Sequence, residues 1–149
     1  MIRLFILCSL LLALPMSAAD ILPESDQAVS ARGAALDLAG AFTANDGYKV
    51  RDGYHLARLK KGESQLFQVN LYAGNSYWFC AAGAPATGTL SVTLFDETGA
   101  PVAIQPFADP ARAAAGFTAA NSGLYYVKTT LLDDSSSEGS TICLLYAYK

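Results

Sequence analysis

Regular alternation of apolar and polar side chains in three short segments constrains this chain more than any other feature. In residues 64–72, Phe67 and Val69 alternate with polar neighbours, and residues 88–95 and 123–132 repeat the pattern. A period of two is typical of a strand with one buried face, because successive side chains point to opposite sides. The segments are separated by Gly-, Asn- and Asp-rich turns without intervening helical patterns, which predicts an all-β sandwich. The predicted inward-facing sets are Phe67, Val69 and Leu71; Leu90, Val92 and Leu94; and Tyr125, Val127, Thr129 and Leu131.

Two further segments, residues 77–82 and 142–146, are apolar on both faces. In the first, Tyr77 and Phe79 alternate with Trp78 and Cys80. If the larger set faces the sandwich core, another element must cover the opposite face around Trp78. The N-terminal segment is the candidate for this role.

Residues 20–45 have helical rather than strand spacing, and we predict a short helix there. Ser25 or Asp26 is suited to cap its start and Gly40 to end it, although Gly33 weakens a helix by about 1 kcal/mol. The helical positions are Ala28, Ala31, Ala35, Leu38 and Phe42.

Residues 1–19 have the pattern of a secretory signal peptide. Arg3 precedes an apolar run too short to span a membrane, and the run ends in Ser17-Ala18-Ala19. We predict cleavage before Asp20 and a periplasmic or extracellular location. No later stretch is long and apolar enough to cross a membrane. The remaining chain divides into the helical segment, residues 20–45, and a sandwich domain, residues 46–149.

Two cysteines remain after this cleavage, Cys80 and Cys143. An oxidising compartment favours a disulfide between them. The alternatives are a metal pair, which lacks the histidines that would complete a zinc site, and a redox pair, whose spacing is unlike C-x-x-C. We therefore predict a structural disulfide.

Charge and motif content argue against several functions. The chain has 13 acidic and 10 basic residues and one histidine, so we expect no nucleic-acid partner. His55 lies near no nucleophile elbow, and we predict that the protein is not an enzyme. The acidic pairs Asp96-Glu97 and Asp133-Asp134 match no EF-hand spacing, so we predict no metal site and no cofactor.

Three aromatic side chains outside the predicted core are candidates for ligand binding: Tyr72, Trp78 and Tyr126. Exposed aromatic rings on a sandwich stack on sugar rings or on a partner protein. The alternative is that they pack beneath the N-terminal helix or at strand ends.

The order of turns and strands resembles the bacterial pre-peptidase C-terminal domain family. The resemblance spans about residues 55–148 and is carried by three stretches: residues 59–82, containing Lys-Gly and Ala-Gly turns; Leu90 to Gly99, ending in Asp-x-x-Gly; and Phe117 to Val127, containing Ser-Gly-x-Tyr-x-Val. It implies a jelly-roll-like antiparallel sandwich of about eight strands carried by secreted proteins. Residues 86–89 carry no acid where members of the family have an acidic cluster, and the chain has no protease domain.

Together these features predict an exported, non-catalytic β-sandwich with a binding, assembly or structural role in the bacterial envelope or outside the cell. Its partner would be a protein or a polysaccharide. Two alternatives remain open. One is a carbohydrate-binding module that uses exposed aromatic residues, and the other is a hydrolase with an unrecognised carboxylate pair.

Overall fold

The structure is a computed structural model that describes residues 24–44, 46–84 and 88–149. The predicted signal peptide, residues 1–19, lies outside these ranges. The described part contains a helix on one face of an antiparallel two-sheet sandwich, which confirms the all-β prediction. No helix in these ranges has both the length and the hydrophobicity to cross a membrane. The elements are α1 (Asp26–Thr43), β1 (Lys49–Val50), β2 (His55–Leu59), β3 (Ser64–Leu71), β4 (Ser76–Ala84), β5 (Thr89–Phe95), β6 (Gln105–Asp109), β7 (Arg112–Thr118), β8 (Gly123–Asp133) and β9 (Ser140–Tyr148).

The sandwich has one six-stranded and one three-stranded sheet. In the larger sheet the order is β1-β9-β4-β7-β6, and β2 also pairs with β9, next to β1 along the same edge. The smaller sheet has the order β3-β8-β5. The strands β2 and β3 are consecutive but belong to different sheets, and among the described residues each pairs with one strand only. The two strands contact each other, so their unpaired edges lie side by side on one side of the sandwich.

The three alternations form the inner face of the sandwich as predicted. The side chains of Val69, Leu90, Leu94, Val127 and Leu131 are buried between the sheets. The Tyr125 hydroxyl donates a hydrogen bond of 3.0 Å to the Asn121 carbonyl, which fixes the turn before β8. The predicted period therefore corresponds to the actual inward and outward faces.

The two-sided strands β4 and β9 carry a second apolar layer beneath α1, also as predicted. The Ser25 hydroxyl caps the helix by accepting a 3.2 Å hydrogen bond from the Ala28 N–H. Gly40, predicted as the end, lies inside the helix, which continues to Thr43 because Phe42 packs against aromatic side chains of the sheet. The buried members of this layer are Ala31, Ala35, Leu38, Ala39, Cys80, Ala82, Ala84, Ala114, Cys143 and Leu145.

The predicted disulfide is not formed. Cys80 and Cys143 lie on adjacent strands and on the same helix-facing side, as expected, but both are free thiols. In the β4–β9 register Cys80 is opposite Leu145, whereas Cys143 is opposite Ala82. Diagonal neighbours of this kind have Cα atoms ~7–8 Å apart, beyond the ~4.4–6.8 Å that a disulfide spans. The offset of two residues is the physical reason for the difference.

Candidate functional site

The structure separates the three predicted ligand-binding aromatic residues onto three surfaces. Tyr72 follows β3 and is 66% exposed. Trp78 on β4 lies beneath α1, and Tyr126 on β8 points to the outer face of the smaller sheet. The three rings therefore do not form one binding platform.

Trp78 is engaged by the protein itself. Its indole stacks on the Phe42 ring of α1, with centroids 4.0 Å apart and an interplanar angle of 12°. Gly116 faces it on β7, where an added Cβ would lie 2.8 Å from the indole. The glycine thus leaves a slot in which the ring lies flat on the strand backbone. This arrangement matches the alternative reading of Trp78 as a packing residue.

A polar cleft lies where the edges of the two sheets face each other, and we call it the edge cleft. Its volume is about 420 Å³. The segment before β2 forms one wall, and β3 together with Tyr72 forms the other. Its floor is the last part of β9. The lining residues are Arg51, Asp52, Gly53, Tyr54, His55, Gln68, Val69, Asn70, Tyr72, Leu145 and Tyr146.

Tyr72 stands at this cleft on a fixed backbone. Its own N–H donates a 2.9 Å hydrogen bond to the Tyr77 hydroxyl, and the next N–H, of Ala73, donates to the Ser122 hydroxyl at 2.8 Å. Gly74 then adopts a positive φ of 86°, which a side chain would disfavour, and closes the turn. The backbone that carries the exposed ring is therefore preorganised, so little backbone entropy is lost when a ligand binds.

The described lining of the edge cleft contains one cationic side chain, Arg51, next to the aromatic ring of Tyr146. The Arg51 guanidinium lies over the Tyr146 ring at 5.9 Å, and the Arg51 N–H donates to the Tyr146 carbonyl at 2.9 Å. Partial burial raises the pKa of Tyr146. Burial also lowers the pKa of His55, whose ring packs 4.3 Å from that of Phe67. The histidine thus favours its neutral form, and the formal charges of the lining are one arginine and one aspartate.

A hydrogen-bonded cluster ties the cleft wall to the start of α1. The Tyr54 hydroxyl accepts a 2.9 Å hydrogen bond from Arg32 and donates one of 3.2 Å to Glu24. Arg32 and Glu24 form an ion pair of 2.6 Å, and the guanidinium lies 5.0 Å from the Tyr54 ring centre. The hydrogen bond that Arg32 donates to Tyr54 is the leading cause of the raised pKa of Arg32. The wall of the edge cleft is therefore hydrogen-bonded both to α1 and to the residue two positions before it.

Tyr126 contributes to a different depression, on the outer face of the smaller sheet. Its volume is about 430 Å³, and its other lining side chains include Leu66, Phe95 and Lys128. The register places Tyr126 between Gln68 and Phe95 on the neighbouring strands. This surface is more apolar than the edge cleft and has few hydrogen-bonding groups.

Three of the four acidic residues in the pairs noted in the sequence have protein partners. Asp96 accepts hydrogen bonds from the Thr98 hydroxyl, at 2.6 Å, and from two backbone N–H groups, and the first of these is the main cause of its lowered pKa. Asp133 pairs with Lys61 at 2.8 Å, which lowers the pKa of the carboxylate. Asp134 accepts from Ser136 and Ser140. Within the described ranges, no three His, Cys, Asp or Glu side chains converge as a metal site.

Most residues of the edge cleft were not predicted from the sequence. The sequence does indicate that Gln68 and Asn70 are exposed, because they alternate with the predicted inward-facing residues of their strand. No pattern in the sequence indicates that Arg51 and Tyr146 lie together, since only the pairing of β1 with β9 brings them into contact. Comparisons with known protein-family models and with curated proteins found no match for this chain.

Proposed function

We propose that this protein is an exported, non-catalytic β-sandwich that binds a saccharide in the edge cleft. The observation that carries the proposal is that the ring of Tyr72 is two-thirds exposed on a hydrogen-bonded backbone, at a cleft lined by hydrogen-bonding side chains. It combines the predicted binding role with the predicted use of exposed aromatic residues.

The side-chain chemistry of the cleft suits a sugar. A pyranose ring has an apolar C–H face and a rim of hydroxyl groups, so it needs a flat apolar surface next to paired donors and acceptors. Tyr72 supplies the surface. Gln68 and Asn70, two residues apart and both exposed on β3, each supply an amide donor and an amide acceptor.

Two observations favour binding over hydrolysis at this cleft. Glycoside hydrolysis needs two carboxyl groups about 5–9.5 Å apart, and Asp52 is the one carboxylate residue in the described lining. His55 packs on Phe67 and has no carboxylate hydrogen bond among the described residues. We therefore place the hydrolase alternative second.

Export and ancestry belong to the same proposal. We propose that the mature protein begins at Asp20 and works in the periplasm or outside the cell, which N-terminal sequencing of protein from the envelope or medium tests. Recovery of a chain that retains Met1 would contradict it. We also propose kinship with the pre-peptidase C-terminal family, and its support is the resemblance together with the antiparallel two-sheet architecture.

Native gel electrophoresis through immobilised polysaccharides tests the binding function. We expect at least one polysaccharide to retard the protein and Tyr72→Ala to abolish the retardation. Phe95→Ala on β5, at the edge of the smaller sheet opposite to β3, is the matched aromatic control and should retain it. If no polysaccharide retards the protein, an assembly or structural role replaces this proposal, and release of reducing ends would instead support a hydrolase.

A further inference from the structure

We propose that the edge cleft selects an acidic saccharide of the uronate type, with the Arg51 guanidinium receiving its carboxylate. This inference rests on the proposed saccharide-binding function and names the class of sugar.

Arg51 differs from the other arginines of the described ranges. Arg32 pairs with Glu24, Arg112 pairs with Asp109, and Arg58 donates to the Glu138 carbonyl and the Gln27 side chain. Of the four arginines that the structure describes, Arg51 is the one whose guanidinium has neither a hydrogen-bond acceptor nor an ion-pair partner there. Its planar group with five donors can form two parallel hydrogen bonds to a carboxylate, which the neutral hydroxyl groups of a saccharide cannot accept in the same way.

Arg51 is also positioned for this role. Its backbone N–H is bonded to the Tyr146 carbonyl, and its guanidinium lies 5.9 Å from the centre of the Tyr146 ring on the floor of the cleft. The ring limits the directions that the side chain can take and supports it through a cation–π contact. The free hydrogen-bonding edge of the guanidinium is therefore available to a ligand that also contacts Tyr72.

Asp52 lies next to Arg51 in the cleft, and the two side chains form no ion pair with each other. Asp52 therefore does not neutralise the guanidinium by direct contact, but it opposes an anionic ligand at longer range. Because the whole chain has a net charge of −3, attraction of an anion must come from the cleft itself rather than from the overall field. We therefore expect that removing the positive charge of Arg51 weakens the binding of an anionic saccharide and that removing the negative charge of Asp52 strengthens it.

The test measures binding of tetragalacturonate, of its methyl ester and of neutral cellotetraose by calorimetric titration at pH 7. We expect the acid to bind more tightly than either neutral probe. Arg51→Gln should weaken the acid by about ten- to a hundredfold, the usual effect of one charge-assisted contact, and leave the methyl ester unchanged. Asp52→Asn should tighten binding of the acid, and Tyr72→Ala should weaken all probes that bind.

Lys128→Gln is the matched control, because it removes a cation from the outer face of the smaller sheet and should leave every affinity unchanged. Thermal unfolding of each variant verifies folding, and Arg51 is exposed, so its replacement should be tolerated. Equal binding of the acid and the methyl ester, or an Arg51→Gln variant that binds the acid normally, overturns the inference while the saccharide function stands. Failure of all three probes, together with no retardation by any polysaccharide, removes the saccharide function itself.

Discussion

The two faces of the six-stranded sheet are packed in different ways. Toward the three-stranded sheet it presents large side chains such as Tyr77, Phe79 and Leu144. Toward α1 it presents mostly alanine and cysteine, and alanines on the helix meet them. Small side chains let the helix approach closely but bury less apolar surface per residue, and buried apolar area is the main source of stability. We infer that the core between the two sheets contributes most of the stability. The layer formed by α1 and the side chains that it covers on the six-stranded sheet, which we call the helix layer, opens more easily.

The largest expected effect comes from emptying the sandwich core. Phe79 is fully buried, and Phe79→Ala should lower the free energy of unfolding by about 3–5 kcal/mol through lost burial and the cavity left behind. Urea denaturation followed by far-UV circular dichroism measures it. Leu66→Ala, at a site 53% exposed on the same sandwich, should change stability by no more than about 0.5 kcal/mol. A loss of less than about 1 kcal/mol for Phe79→Ala would show that the core between the two sheets is not the main source of stability.

The thiols report on the helix layer. Burial raises the pKa of Cys80 to about 12 and that of Cys143 to about 11, against 9.0 for a free thiol. The folded protein should therefore have about a hundred- to a thousandfold less thiolate at pH 8, and alkylation should be slowed at least as much. Alkylation rates of the native and of the urea-denatured protein, in the form that begins at Asp20 and so lacks Cys8, measure this, and two thiols should be counted after denaturation.

A count of no thiols in denatured, unreduced protein would contradict the free thiols and restore the disulfide. Rapid alkylation of both thiols in a protein whose sandwich remains folded would show that the helix layer opens even more readily than its packing indicates.

A glycine-to-alanine pair sharpens the contrast within the helix layer. Gly116→Ala places a methyl group 2.8 Å from the Trp78 indole, which Phe42 holds from the other side, and should cost about 1–3 kcal/mol. Gly33→Ala, on the helix with open space around it, should instead stabilise the protein by up to about 1 kcal/mol. Thermal unfolding compares them, and equal effects would refute the slot at Gly116.

The smallest expected effect lies inside the larger core. The Thr129 hydroxyl is buried and has no hydrogen-bond partner within the described residues. Thr129→Val keeps the shape and removes the unsatisfied group, so it should stabilise the protein by about 1 kcal/mol. Thr93→Val on the exposed face of β5 is the control and should be nearly neutral. Destabilisation by Thr129→Val would indicate that an unseen partner, such as water, satisfies the hydroxyl.

The faces of the strands could be predicted from the sequence because a period of two depends only on local geometry and burial. That logic assigned Phe79 to the sandwich core and Cys80 to the helix side, and it called for an element covering Trp78. It could not supply the pairing register, since a slip of two residues preserves every face. The disulfide prediction failed for this reason, because the two cysteines point to the same side of the sheet but are not directly opposite each other on the paired strands.

The candidate site was harder to predict than the fold. Tyr72 and the outward side chains of β3 had a signal in their alternation, but the edge cleft exists only because β2 and β3 belong to different sheets. Arg51 contacts Tyr146, which lies 95 positions later in the chain. No local pattern encodes such a contact. Aromatic content selected Trp78 as a ligand-binding candidate, but the apolar face around it also predicted cover by the N-terminal helix, and its stacking on Phe42 agrees with that second prediction.

The stacking of Trp78 on Phe42 gives this protein a built-in optical probe. Trp78 is the single tryptophan of the chain, so all indole emission arises from the interface between helix and sheet. If α1 detaches while the sandwich persists, the emission should shift to longer wavelength before the far-UV signal of the sheets changes. Fluorescence and circular dichroism thus follow two different layers, and the separation of their midpoints measures how strongly those layers cooperate.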